Sequence, residues 1–376
     1  MGFEGDDRAP NTVDRHYLSE KISVARWKPE GVDGWSERIV TGSWDQPANG
    51  NGISLWWYRP PLHTDLPVLD DRVPVADGDV TDIKFVDGEN FLYSTSDGSV
   101  YMYKLGWRGG ASDGGPGGRM QLEEKCCWER LHEGAGGSTC ACNRIDTSPD
   151  TTDIVTCGQD GRLALLSTTR PGVVQAALDT HDTTSVQAVC FVRHNEIVAG
   201  DLRGIIKVWD VRSGDAGGPA GMFPFSRDCV VGVSSLVVLP AQRHILVGGG
   251  HNGSLSVWDL RHSASPLLVY NAHELSITDI GFHHTRPSNL FTASETGEIW
   301  QWADFDRSVR TALAPRSDES DSTLAGGYDA VTRPPEVQSL LGVKNFPTNS
   351  VDANKERLLG SSDSESIVII HPLVLK

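Results

Sequence analysis

At 376 residues the chain exceeds the roughly 250–300 that one hydrophobic core supports, so it either splits into domains or repeats a unit. Its 50 acidic against 33 basic residues give a formal charge of −17, which argues against sequence-independent binding to nucleic-acid phosphates. Seven Cys suit no disulfide framework, no apolar run follows Met1–Asp7, and no stretch nears the ~20 apolar residues of a membrane span; the expected setting is reducing, cytosol or nucleus, without membrane insertion.

Residues 1–11 are polar and rich in Gly and Asp, and are expected to form a disordered tail. Strands then read Ile22–Trp27, Arg38–Ser43 and Ile53–Trp56, with Trp44–Gly52 too long for a tight hairpin. A second set is Val80–Val86, Asn90–Ser96, Ser99–Leu105 and a strand near Cys126–Leu131, entered through Gly106–Gly118, a Gly-rich stretch expected to be a mobile loop. Sets three to five are Thr139–Ile145, Asp153–Gly158, Arg162–Ser167, Val173–Leu178; Ser185–Val192, Glu196–Gly200, Ile205–Asp210, Gly221–Phe225; and Val230–Leu239, His244–Gly248, Ser254–Leu260, Pro266–Tyr270. The sixth is Ser276–His283, Asn289–Ser294, Glu298–Ala303 and, past the acidic Asp304–Pro335, Val337–Leu341. Ser350–Asn354, Arg357–Ser361 and Ser366–Ile370 make a seventh set of only three strands, so Val13–Ser19 is expected to supply its fourth and remove an open edge.

One unit recurs through these sets. Gly248–Arg261 reads as a strand end, an Asn252-Gly253 turn able to hold both central residues at positive φ, and a strand closed by Trp258-Asp259. Trp209 follows Gly204, and Trp302 follows Gly297, at the same five-residue spacing, while Leu166 and Tyr103 keep the place after Gly161 and Gly98. The anchors at 166, 209, 258 and 302 lie close to the roughly 40–45 residues of a four-stranded propeller blade apart. The reading is therefore all-β: residues 12–376 form a single seven-bladed WD-repeat β-propeller closed by an N-terminal strand, with insertions at 106–122 and 304–335.

The motifs that could carry chemistry fit this frame better as structure. Gly248-x-Gly250-x-x-Gly253 joins two strands rather than a strand and a helix, so it is a turn and no dinucleotide site. Cys126-Cys127 would point to opposite faces of a strand and Cys140-x-Cys142 lacks the usual zinc spacer. No Gly-x-Ser-x-Gly, Walker loop or His-Glu-x-x-His occurs, so no metal, cofactor or enzymatic activity is expected. His181 and His273 precede first strands and would reach Trp209 and Trp302 through a Ser or Thr of the second strand, with Thr292 or Ser294 serving His273. The turn position that usually carries Asp holds Arg203 or Thr296, which leaves both networks incomplete, and Trp258 is a third structural anchor.

For partner contact the residues singled out are Trp44 and Asp45, on the face where second and third strands connect (the top), and Arg212 and Arg261. A Trp in a loop is an interface anchor, with packing onto blade 1 beside Trp27 as the alternative. Trp209-Asp210-Val211-Arg212 and Trp258-Asp259-Leu260-Arg261 resemble the box by which WD-repeat substrate receptors dock on the adaptor of cullin-RING ubiquitin ligases.

Ser19–Ser23 with Arg26-Trp27-Lys28-Pro29, then Thr41–Asp45 and Ile53–Trp56, resembles the opening of the nucleoporin forty-three family, propellers of the Y-shaped outer-ring complex of the nuclear pore. Ile154–Thr156, Asp160–Arg162, Lys207–Asp210, Ala272–Glu274 and Leu290–Thr292 extend the likeness from Ser19 onward. The resemblance implies a non-enzymatic scaffold at the nuclear envelope. Its partners would be other nucleoporins, above all the α-solenoid of the Y complex's short arm. It further implies roles in pore assembly, RNA and protein transport and, in animal relatives, the kinetochore.

Overall fold

The computed structural model describes residues 11–29, 37–46, 50–58, 66–108, 118–134, 136–179, 184–213, 218–314, 335–343 and 345–376. The chain opens on β1 (Thr12–Tyr17) and continues into blade 1: β2 (Ile22–Trp27), β3 (Arg38–Ser43), β4 (Gly52–Trp57) and β5 (Val68–Pro74). Blade 2 is β6 (Val80–Phe85), β7 (Asn90–Thr95), β8 (Val100–Trp107) and β9 (Met120–Trp128); blade 3 is β10 (Cys142–Thr147), β11 (Asp153–Gly158), β12 (Arg162–Ser167) and β13 (Val174–Asp179). Blade 4 is β14 (Val186–Arg193), β15 (Glu196–Asp201), β16 (Ile205–Asp210) and β17 (Gly221–Pro224); blade 5 is β18 (Val233–Val238), β19 (Ile245–Gly250), β20 (Ser254–Asp259) and β21 (Leu268–Asn271). Blade 6 is β22 (Ile277–Phe282), β23 (Leu290–Ser294), β24 (Ile299–Ala303) and β25 (Glu336–Leu341), with α1 (Phe305–Leu313) between its last two strands. Blade 7 is β26 (Thr348–Asn354), β27 (Arg357–Ser362), β28 (Ser366–His371) and β1, which runs antiparallel to β28 with Val13 opposite Ile370. The N-terminal strand thus closes a seven-bladed ring, as the sequence led us to expect.

Three local expectations need correction. Blade 2's outer strand begins at Met120, ahead of Cys126, because Met120 and Leu122 are buried in the core cluster shared with blade 1. The segment from Asp304 starts as a helix: Phe305 and Val309, one turn apart, are buried against blade 6, and Arg310 pairs with Asp306 at 2.9 Å on the outer side. The turn after β19 holds only one residue at positive φ, Gly253 at 78°; its N–H donates to the Gly250 carbonyl at 3.0 Å, and the Asn252 Oδ1 accepts from the Ser254 N–H. The hairpin is therefore a three-residue loop with a left-handed glycine at its end, a form that tolerates an ordinary conformation at Asn252. The expected N-terminal tail through residue 10, the Gly-rich run over 109–117 and the acidic run over 315–334 lie outside the described residues.

Every first strand is bulged at the same place. Its ladder with the second strand skips one residue: Ser23, Thr81, Asn143, Gln187, Ser234, Thr278 and Asn349. The residue after the bulge stands opposite a second-strand position that decides how the blade joins the next one. Where that position is Gly42, Gly200 or Gly249, the space a Cβ would take is filled by Val80, Val233 or Ile277 of the following blade, at 2.4, 2.5 and 2.8 Å from the Cβ site. Where it is Ser94, Cys157, Ala293 or Ser361, a first-strand carboxylate makes the link instead. Asp82 accepts from the Ile145 N–H at 3.0 Å, Asp146 from Phe191 at 2.8 Å, Asp279 from Val351 at 3.1 Å and Asp352 from Trp27 at 2.7 Å. In the same four seams the bulged side chains of Thr81, Asn143, Thr278 and Asn349 donate to carbonyls of Cys142, Val186, Thr348 and Ile22. Seams 1–2, 4–5 and 5–6 are thus closed by apolar packing, and seams 2–3, 3–4, 6–7 and 7–1 by charge-assisted hydrogen bonds.

Gly253 is held by its backbone and its neighbour at once, since a Cβ there would lie 2.0 Å from the His273 carbonyl oxygen. Gly253→Ala is expected to cost at least about 1–3 kcal/mol in chemical denaturation, whereas Gly218→Ala, which meets open space, should stay within about 0.5 kcal/mol of wild type.

Candidate functional site

In blade 6 the Thr292 Oγ1 stands between His273 Nε2 at 2.8 Å and Trp302 Nε1 at 3.0 Å. His273 Nδ1 faces Glu298 at 3.4 Å, and Thr296 donates to the same carboxylate oxygen at 2.9 Å. The network left open at Thr296 is therefore completed two residues later, at Glu298 just ahead of the third strand. Burial holds the His273 pKa below its ordinary value, so the ring is a neutral link in this chain of bonds. Blade 3 carries a clasp that sequence reasoning missed: His132, fully buried, meets Asp160 and Thr156, each at 2.9 Å. Leu166 in place of Trp hid it, although Asp160 occupies the turn position and His132 stands 28 residues upstream.

The clasp expected at Trp209 has no acceptor on the second strand. Ala199 occupies the place that Thr292 holds in blade 6, and Gly248 does so in blade 5, so the Trp209 and Trp258 Nε1 groups are buried without a hydrogen-bond partner among the described residues. His181 lies outside the described residues. Both indoles remain core anchors: Trp258 packs against Phe223 and Phe225 with ring centres 6.0 and 5.1 Å apart, and Trp209 is buried with Leu165 and Phe191.

The central channel is crossed by side chains. Arg26 of blade 1 pairs with Asp279 of blade 6 at 3.0 Å and faces Asp82 of blade 2 at 3.7 Å. Arg144 of blade 3 donates to the Thr278 carbonyl of blade 6 at 2.7 Å and faces Asp82 at 3.8 Å. Lys84–Asp146 at 2.7 Å and His284–Asp352 at 3.1 Å continue the belt. Burial works against the charge of Asp352, yet the His284 hydrogen bond and the charges of His284 and Arg26 keep its pKa below the usual carboxylate range. A cavity of about 560 Å³ lies along these groups, with Ala188, Val192, Leu236 and Val238 of blades 4 and 5 as its apolar wall. Among the described residues no group of three His, Cys, Asp or Glu could hold a metal ion, and no helix is long and apolar enough to cross a membrane.

Trp44 sits half-buried at the top mouth of the channel. Its Nε1 donates to Asp363 of blade 7 at 3.0 Å and the Lys21 ammonium lies 5.1 Å from its ring centre. Trp27, at the opposite end of β2, packs edge-on with Tyr58 instead, so the two indoles do not pack together. Asp45 takes a left-handed φ of 52°, pairs with Lys21 and directs its N–H to Asp79 at 2.9 Å. Arg212 and Arg261 face solvent at 72% and 56% side-chain exposure, on the face opposite the mouth. Each folds back on the Asp two residues before it: Nε reaches Oδ1 at 3.0 and 2.9 Å, and Nη2 reaches Oδ2 at 2.7 Å in both. The Arg212 hydrogen bond pulls the Asp210 pKa down to about 2.

These bulged, clasped blades define a seven-bladed WD-repeat propeller. The family described as WD domain, G-beta repeat matches residues 73–104 and 172–210, within blades 1–2 and 3–4. Nucleoporin Nup43 of Mus musculus is 29% identical over 386 residues, covering 95% of this chain and 98% of that protein, and Nup43 of Homo sapiens is 28% identical with the same coverage. The nuclear pore complex protein nup43 of Dictyostelium discoideum is 25% identical over 234 residues, 61% of this chain and 54% of that protein. The resemblance read from the opening blade is thus to Nup43 along nearly the whole chain. The crystal structure of Chaetomium thermophilum Raptor shares the fold over 96% of this chain and 29% of that one, with a TM-score of 0.65 at 14% identity.

Two outcomes follow from the buried groups. Asp279→Ala removes the nearest carboxylate from Arg26, which keeps Asp82 at 3.7 Å, and leaves the Val351 N–H without its acceptor; it should cost about 1–3 kcal/mol by denaturation. Because the folded-state pKa of His273 lies below the ordinary 6.5, the unfolded chain binds more protons as pH falls through that value, and stability must drop. His273→Gln should therefore lose less stability than wild type between about pH 7 and 5.5 in thermal melts; an equal or larger loss would contradict a neutral His273.

Proposed function

We propose that the chain is a non-enzymatic scaffold subunit of the outer ring of the nuclear pore complex, resident at the nuclear envelope and bound to other nucleoporins. The observation that carries this is the similarity to Nup43 proteins over 95% of this chain and 98% of those proteins, so the match spans nearly the full length of those relatives and is not confined to the repeats. The physical reading supports it. The ring closes with its first and last strands, its seams are pinned by buried bonds, and its channel is spanned by ion pairs; such a disc presents fixed surfaces. The partner in this reading is the α-solenoid of the Y complex's short arm, and the role is support of pore assembly and of RNA and protein transport, with kinetochore attachment in mitosis as its extension.

One observation favours a second reading, a substrate receptor of a cullin-RING ubiquitin ligase: Arg212 and Arg261 are exposed at equivalent places on one face. Their retention by Asp210 and Asp259 weighs against it, since one edge of each guanidinium is already engaged. Affinity purification of the tagged chain from cells, with mass spectrometry, separates the two. Outer-ring nucleoporins should be recovered equally by wild type and by the Arg212→Ala/Arg261→Ala variant. A cullin adaptor that disappears in the variant, with no nucleoporins recovered, would reverse the assignment.

A further inference from the structure

The top face is not uniform. The residue just past each second strand forms a rim around the mouth, and the rim of blades 4, 5 and 6 is Leu202, His251 and Glu295. Beside them, on the connections into blades 5 and 6, stand Val230 and Leu275. Leu202, Val230 and Leu275 are 51%, 83% and 49% exposed, a concentration of large apolar side chains that isolated surface leucines do not explain. The backbone links them into one arc. The Leu202 carbonyl and the His251 ring both lie 2.7 Å from the Cβ site of Gly232, and the Leu275 carbonyl lies 2.7 Å from that of Gly253. Glu295 in turn directs its N–H to the Ser276 carbonyl at 3.0 Å. Glu274 and Glu295 flank Leu275, both exposed and in no ion pair among the described residues. A recess of about 300 Å³ opens between His251, Ser276, Glu295 and Trp44 at the mouth itself.

The chemistry of this arc defines its occupant. Its rim N–H groups are already spent: Leu202 donates to Ser185, His251 to Gly232 and Glu295 to Ser276, at 3.0 Å each. These three rim N–H groups are closed to an added strand, and the exposed Leu202, Val230 and Leu275 side chains offer the apolar contact that an amphipathic helix makes. The unpaired carboxylates select cations and repel nucleic acid and anionic lipid. We propose that the arc of Leu202, Val230 and Leu275 docks an amphipathic helix of a partner nucleoporin, with a Lys or Arg beside its apolar face meeting Glu274 and Glu295. This rests on the scaffold reading and gives it a surface.

The test places a photoreactive benzophenone side chain at position 230 and, as a control, at Met222, which is 63% exposed on the outer strand of blade 4. The tagged full chain is cross-linked in cells and the linked peptides are sequenced. Position 230 should join a nucleoporin helix bearing Lys or Arg at about fivefold the yield of position 222. Glu274→Lys/Glu295→Lys, checked for an unchanged melting temperature, should cut that yield about fivefold, as expected for two rim charge reversals. Equal yields at the two positions, links to a second copy of this chain, or indifference to the charge reversal would overturn the proposal while leaving the scaffold reading intact, provided nucleoporins co-purify. If none co-purifies with wild type, the scaffold reading falls, and this surface with it.

Discussion

The seam between blades is the contact on which everything else here depends. A four-stranded sheet has two faces to cover and cannot cover both alone, so each blade is stable only when its neighbours pack on it. In this chain the joint is made at one recurring spot, the bulge of the first strand. In the four polar seams the bulge turns a polar side chain toward the neighbouring blade, and in every blade it brings the following residue opposite a second-strand position that is either glycine or bears a Cβ. Glycine admits a branched side chain from the next blade, worth roughly 1.5–3 kcal/mol as buried apolar surface. A Cβ goes with a carboxylate link of comparable size, about 1.5–3 kcal/mol for a hydrogen bond to a charged group.

Carboxylates drawn into the ring need cations, and Arg26, Arg144 and Lys84 supply them across the channel. The belt is thus a consequence of the polar seams. It sits on blades 1–3, 6 and 7, while blades 4 and 5, joined by apolar packing, line the channel with Ala188, Val192, Leu236 and Val238. A disc locked in this way is suited to holding a partner in one orientation. The uneven top rim agrees, with Trp44 bonded across the 7–1 seam on one side and exposed apolar groups on the other.

Much of the architecture could be read directly from the residues. Gly and Trp five apart, alternating apolar strands and a three-stranded last set led to seven blades and to closure by β1. What stayed hidden had physical causes. The outer strands are exposed on much of their surface, so β5, with its Leu69-Asp70-Asp71-Arg72, shows little alternation, and β9 is masked by Glu123-Glu124-Lys125. Helix α1 rests on two buried apolar residues, Phe305 and Val309, too few to stand out in a charged segment. The clasp of His132 lacked its Trp, and the one expected at Trp209 depended on a hydroxyl that Ala199 does not provide. The bulges were invisible because a skipped residue changes register without changing composition, yet their polar identities, Ser, Thr, Asn or Gln in every blade, are a signal that can now be sought.

The claim that the ring is one cooperative unit pinned at its seams is tested most directly by native-state hydrogen exchange at Trp27, Ile145, Phe191 and Val351, whose N–H groups are bonded to carboxylates of the preceding blade. The account predicts that these four amides exchange only through global unfolding, with the same opening free energy as the ladder amides of β11 and β19. Faster exchange at the four seams than within the blades would mean that the blades part locally, and the ring would not be the rigid scaffold described.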